Sequence, residues 1–152
     1  SLGGRYVYTP QMVINGAAHE VGSKRGAVES LIQAQQARAE PDAPTLRLTR
    51  NGDSIVVNLD GPVPAAPLDI VFLAYDGRHE TEVTRGENSG QTLVNAHVVR
   101  GMERIGRWAG GPAEFTVALK GRKGDGGCAV IAQAPGHGPI AAAAAMKFPG
   151  AN

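Results

Sequence analysis

One thiol, four scattered imidazoles and one compact polar loop are the groups in this 152-residue sequence with the types to do chemistry. Cys128 is the single cysteine, so no intramolecular disulfide can form and no C-x-x-C redox pair exists within these residues. A reactive thiol needs an electropositive, partly exposed setting. Gly127-Cys128-Ala129-Val130-Ile131 is instead an apolar run, with only Arg122 and Lys123 near in sequence, and it predicts a buried thiol packing as a small hydrophobe. His19, His79, His97 and His137 lack metal-ligand spacing. His19 and His79 fall in turn or edge contexts, His137 in a Gly-Pro turn, and His97 in an apolar strand that predicts a core or interface position.

Arg85-Gly86-Glu87-Asn88 is the most concentrated polar cluster. Arg85 and Asn88 have the donors to recognise a small polar or anionic ligand. The structural alternative has Gly86 supplying backbone freedom, Asn88 bonding its own turn, and Arg85 pairing with Glu87 or another carboxylate. Trp108, flanked by Gly106, Gly110 and Gly111, either lines a groove or fills the end of a core short of large side chains. Gly124-x-Gly126-Gly127 opens no helix and reads as a turn rather than a dinucleotide fingerprint. No nucleophile elbow, Ser-His-Asp order, phosphate loop or paired-acid dyad stands out. We therefore assign no catalytic residue, no metal and no cofactor from the sequence.

The elements that position these residues change character along the chain. Lys plus Arg (15) nearly balances Asp plus Glu (14), and no basic face emerges that would attract nucleic acid. The longest apolar run, Ile140–Met146, is far too short to span a membrane. Aromatics are only 5%, so the core must come from Val, Ile, Leu and Ala; 21 glycines and 10 prolines predict many turns between short strands. Met12-Val13-Ile14, the Asn15-Gly16 turn signal and His19 to Gly22 predict a hairpin. Ser23 is placed to cap a helix running to Ala39 with Val28, Leu31, Ile32 and Gln35 on one side.

Glu40-Pro41-Asp42-Ala43-Pro44 stops the helix and marks a boundary: a unit over 1–40, a linker over 41–45, a second unit over 46–152. Period-two alternation then takes over. Strands are predicted around Leu46–Leu59 as a hairpin turning at Asn51-Gly52, Leu68–Tyr75, His79–Arg85, Leu93–Val99, Phe115–Leu119, Cys128–Gln133 and Ile140–Lys147. A turn is placed at Asp76-Gly77 and a loose hairpin over Lys120–Gly127, while Gly101–Gly106 follows the Leu93–Val99 strand with no element assigned. Leu68–Tyr75 is apolar on both faces and reads as a central strand. Five consecutive alanines favour a helix by propensity, but the segment lies between Pro139 and Pro149 just after a tight turn, which predicts a strand partnering Cys128–Gln133. The fold class is α+β, mostly β: a hairpin-plus-helix lobe followed by an antiparallel β-sandwich.

Tyr8-Thr9-Pro10-Gln11-Met12-Val13-Ile14-Asn15-Gly16, a second short strand, then Gly22-Ser23 and a helix, resembles the second half of a thioredoxin or glutaredoxin domain. Together with Arg85-Gly86-Glu87-Asn88, Gly90, Asn95, Val98-Val99-Arg100, Ile105-Gly106, Trp108 and Gln133, the chain is similar to an uncharacterised family of predicted secreted bacterial proteins that join a thioredoxin-like domain to a C-terminal β domain. The resemblance implies a cis peptide bond before Pro10. It also implies that Thr9, Pro10 and Gln11 pair with an extended thiol protein substrate opposite a redox dithiol, and that the protein is periplasmic or secreted. Family members carry a Cys-containing motif near the N-terminus, and this sequence starts beyond it. The expectation is thus a C-terminal part lacking its nucleophile. Residues 6–39 would then expose an apolar helix face and sheet edge to the missing thioredoxin-like segment or to a separate chain. The competing expectation is a non-enzymatic binding or structural module that uses the sandwich.

Overall fold

The computed structural model describes residues 9–38 and 42–149. Tyr8, the end of the expected helix at Ala39, and Glu40-Pro41 lie outside the described residues. Within them, β1 (Gln11–Ile14) and β2 (Ala18–Val21) form an antiparallel two-stranded sheet, with Gln11 opposite Val21 and Ile14 opposite Ala18. Asn15 (φ 50°) and Gly16 (φ 64°) take the left-handed backbone that this tight reversal demands, and Ala17 N–H closes it on Ile14 O at 3.0 Å. A side chain at Gly16 would also strike Gly138 O, 2.7 Å from where its Cβ would stand, because the hairpin tip rests on the sandwich there. Ile140 N–H donates to Asn15 O at 2.8 Å across that contact.

Helix α1 (Arg25–Gln36) follows. It starts later than Ser23 and ends earlier than Ala39: Lys24 is the N-cap, with no side-chain capping bond, and Ala37 the C-cap. Val28 and Ile14 are buried between helix and hairpin, while Ile32, expected on the buried side, stays 38% exposed.

The rest is two antiparallel sheets. One has the order β3 (Thr45–Asn51), β4 (Ser54–Asp60), β7 (Ala113–Ala118); the other β6 (Thr92–Trp108), β5 (Leu68–Glu82), β8 (Gly127–Gln133), β9 (Ile140–Lys147). Strand β3 opens at Thr45, a residue assigned from the sequence to the linker. The β3–β4 hairpin turns at Asn51-Gly52, and Ile140–Lys147 is an antiparallel partner of β8, both as expected. Alternation sends Ile55, Val57 and Leu59 of one sheet and Ile70, Phe72, Cys128 and Val130 of the other into a common core, which Trp108 closes at one end. The Trp108 indole N–H donates to Gly111 O at 2.8 Å.

Two expectations are corrected, and one unassigned stretch is placed. Asp76-Gly77 is not a turn: β5 runs through it for 15 residues, because β6 pairs with it along its whole length. Gly101–Gly106, unassigned from the sequence, belongs to the 17-residue β6, which absorbs its irregularity in two register shifts, opposite Ile70/Val71 and Ala74/Tyr75. Lys120–Gly127 is not a hairpin but a crossing between sheets, since β7 pairs with β4 and β8 with β5.

Strand β8 ends its pairing with β5 at Tyr75. Beyond that point β5 and β6 continue alone as a two-stranded arm, Asp76–Glu82 against Thr92–Val98.

Candidate functional site

Four places hold the polar groups, and the fold keeps them apart. The first is the start of β1. Thr9, Pro10 and Gln11 are all exposed, and the Thr9–Pro10 peptide bond is cis. Gly22 N–H donates to Pro10 O at 2.7 Å, fixing the open end of the hairpin. Beside it, Glu20 Oε1 accepts from Val21 N–H at 2.7 Å and from Lys24 Nζ at 3.4 Å, which holds its carboxyl below the usual range. Met12 and Val13 are 44% and 49% exposed, and among the described residues β1 has no strand on its outer edge. This place offers backbone and apolar surface, not a nucleophile.

The second is the arm tip. Arg85, Glu87 and Asn88 lie in the loop joining β5 to β6, all exposed. The loop is closed by backbone bonds alone: Gly90 N–H to Val83 O at 2.8 Å, Val83 N–H to Gln91 O at 2.9 Å, Ser89 N–H to Gly86 O at 3.0 Å. Among the described residues the structure places no ion pair between Arg85 and Glu87. Leu68 stands beside the hairpin lobe and Glu82 beside this loop; 14 strand steps of about 3.3 Å place the two ends roughly 45 Å apart. Thr9–Gln11 and Arg85–Asn88 do not form one site.

The third place went unseen in the sequence. At the base of the arm Asp76 Oδ2 accepts from Arg100 Nη1 at 2.6 Å and stands 2.9 Å from His79 Nδ1; the same Arg100 nitrogen lies 2.8 Å from His79 Nδ1. Residues three apart on a regular strand face opposite ways. Asp76 and His79 meet because the ladder is distorted there, with His97 at φ 53° between the Val98 and Ala96 rungs, and because the register shift at Ala74/Tyr75 leaves Arg100 as the extra residue. His97 is exposed, not core, and meets Tyr75 edge-on at 5.3 Å. Burial raises the Asp76 carboxyl, but bonds from Arg100 and His79, the Arg100 charge and the Asp125 backbone outweigh it and leave it below the usual range. The ring nitrogen donates to Asp76 or accepts from Arg100, never both at once. The cluster fastens β5 to β6 at the base of the arm.

The fourth is a groove of about 760 Å³ between lobe and sandwich. Leu68, Trp108 and Ile140 are among its apolar lining; Asn15, Gln35 and Asp42 are among its polar groups.

Cys128 belongs to none of these. It is fully buried, and burial pushes its thiol up to about 11, so it stays protonated and inert near neutral pH. Among the described residues no group of three His, Cys, Asp or Glu could hold a metal ion, and no helix is long and apolar enough to cross a membrane.

The model of the family described as a protein family of unknown function, DUF1223, matches residues 1–133. The chain belongs to this family. No curated protein matches it. A crystal structure of an Agrobacterium tumefaciens protein is similar to it at a TM-score of 0.79 and 20% identity, covering 96% of this chain and 64% of that one. At that identity the likeness speaks for the fold alone. The DUF1223 chain described above thus spans 64% of the length of the solved protein it matches.

Proposed function

We propose that these residues are the C-terminal part of an exported, thioredoxin-like DUF1223 protein. In the whole protein Thr9, Pro10 and Gln11 would hold an extended thiol- or disulfide-bearing segment of a protein substrate beside a cysteine pair supplied upstream. The observation that supports this reading is the uncovered lobe: among the described residues β1 has no outer partner strand, and Met12, Val13 and Ile32 stay exposed around it. An open edge flanked by apolar side chains is the arrangement that accepts a further strand. In the exchange, one upstream thiolate attacks a substrate disulfide sulfur, and the other substrate sulfur leaves as a thiolate. The second upstream thiolate then attacks the mixed disulfide. The substrate departs as a dithiol after proton uptake, and the protein keeps the disulfide. The residues described here bind and orient; none exchanges electrons, and Cys128 is sealed in the sandwich core.

The test is the intact mass of the natural gene product before and after alkylation under reducing, denaturing conditions. A mass above 15.7 kDa with at least two alkylatable thiols beyond Cys128 supports the proposal. A 15.7 kDa product with one alkylated thiol overturns it.

The groove favours a second reading, a binding module without chemistry. Its volume falls in the range of small-molecule sites. Titration with the apolar dye anilinonaphthalene sulfonate, read by energy transfer from the single tryptophan, distinguishes the two: saturable one-site binding, lost in Ile140→Arg, supports a ligand site there.

A further inference from the structure

We infer that the outer face of the four-stranded sheet is a dimer interface, occupied by a second copy of this chain. The inference does not rest on the thiol reading.

Strand β5 is apolar on both faces, and the core explains only one of them. Ile70, Phe72 and Ala74 point into the sandwich. Val71, Leu73 and Tyr75 point the other way, and the ladder continues them across the sheet, because paired residues share a face. One cross-strand row reads Arg104, Val71, Ile131, Ala143. The next reads Met102, Leu73, Ala129, Ala145. Met102 is 66% exposed and Val99, in the row beyond, 52%. The His97 ring meets the Tyr75 end of this face edge-on, while its middle stays open at Met102 and Ala143, both exposed.

Charge is confined to its ends. At one end Asp69 accepts from Arg107 at 3.0 Å and Arg104 at 3.3 Å, so the Arg104 guanidinium is drawn away from the middle. At the other, Lys147 stands at the corner on β9. A two-fold axis in the plane of the face, along the strands or across them, sets Arg104 over Ala143 of the partner subunit or Met102 of the partner subunit. Neither arrangement opposes like charges. The net charge of +1 adds little repulsion between copies.

The size fits a reversible dimer. Four strands at about 4.8 Å and four rows at about 6.8 Å give a face of roughly 19 by 27 Å. Two such faces bury about 1,000 Å², the low end for specific association. The alanines of β9 and Ala129 let the second sheet approach closely.

Sedimentation equilibrium of the 152-residue chain from about 1 to 200 μM tests this, spanning the affinities of interfaces of this size. The expected result is a monomer–dimer equilibrium between 15.7 kDa and twice that mass. Ala143→Arg and Met102→Glu, both at exposed positions, are each expected to raise the dissociation constant at least tenfold with an unchanged far-ultraviolet circular dichroism spectrum. Val13→Glu, on the lobe, is expected to leave it unchanged. A monomer throughout overturns the proposal. So does a dimer that survives both face variants, or one that only Val13→Glu dissociates, which would make the lobe the interface.

Discussion

At Cys128 the thiol's surroundings decide everything it does. Burial holds it up to about 11, against its ordinary 9.0 in the unfolded chain. As pH rises through 9, the unfolded state begins to release this proton while the folded state retains it. This thiol's contribution therefore makes the fold less stable between pH 9 and 11. Urea unfolding at pH 8 and pH 10 is expected to show a larger loss for the native chain than for Cys128→Ala, once each is referred to its own value at pH 8. An equal loss in both would refute the assignment. A second residue-scale case is Gly106, where any Cβ would overlap the Phe115 ring that packs from the opposite sheet. Gly106→Ala is expected to cost about 1–3 kcal/mol by overpacking, read as a lower midpoint in thermal unfolding. The sealed thiol was legible in the sequence because its neighbours alternate into a core. The Asp76–His79–Arg100 cluster was not. It depends on a register shift that brings together Asp76 and Arg100, 24 residues apart, and side-chain types along one segment carry no trace of that.

Elements set how firmly the arm and the lobe are held. The Asp76 carboxyl is below its usual range in the fold, so its pairing with Arg100 stabilises the arm above the ordinary carboxylate value and is lost as pH falls through the lower folded value. Hydrogen exchange of the Val94–Val98 amides is expected to quicken below pH 4 relative to the Ile70–Phe72 amides, and Asp76→Asn is expected to show the quickening at pH 7. In α1, Gly26 sits in the first turn with open space where a Cβ would stand. Gly26→Ala is expected to raise stability by about 0.5–1 kcal/mol, measured by the urea midpoint. Local pattern found most of these elements. The alternation that predicts β3, β4 and β7 is a property of one strand and its single buried face. It failed where strand length is set by a neighbour: Asp76-Gly77 reads as a turn and Gly101–Gly106 as no element in isolation, yet each lies inside a long strand because the other strand is there to pair with it.

Over the whole molecule, burial is unevenly shared. The sandwich buries a continuous cluster from Ile55 to Ala132, whereas the lobe buries only Ile14 and Val28 among the described residues. A lone two-stranded sheet of four-residue strands and a helix of 12 residues are each marginal without tertiary support. The contact at Asn15 and Ile140 ties the lobe to the sandwich without adding a shared core. The family resemblance implied an exposed apolar face on this lobe, and Met12, Val13 and Ile32 are exposed. It did not foresee the contact itself, which joins residues more than a hundred positions apart. The lobe is therefore expected to open without the sandwich unfolding. Native-state hydrogen exchange at pH 7 is expected to show the Met12–Gln36 amides exchanging at least 100-fold faster than those of Ile70, Phe72 and Val130, with the faster set insensitive to low urea and the slower set tracking global unfolding. Equal protection in both sets would mean that lobe and sandwich fold as one unit. The exposed edge of β1 would then be an ordinary surface, and the case for a further strand pairing there would fall with it.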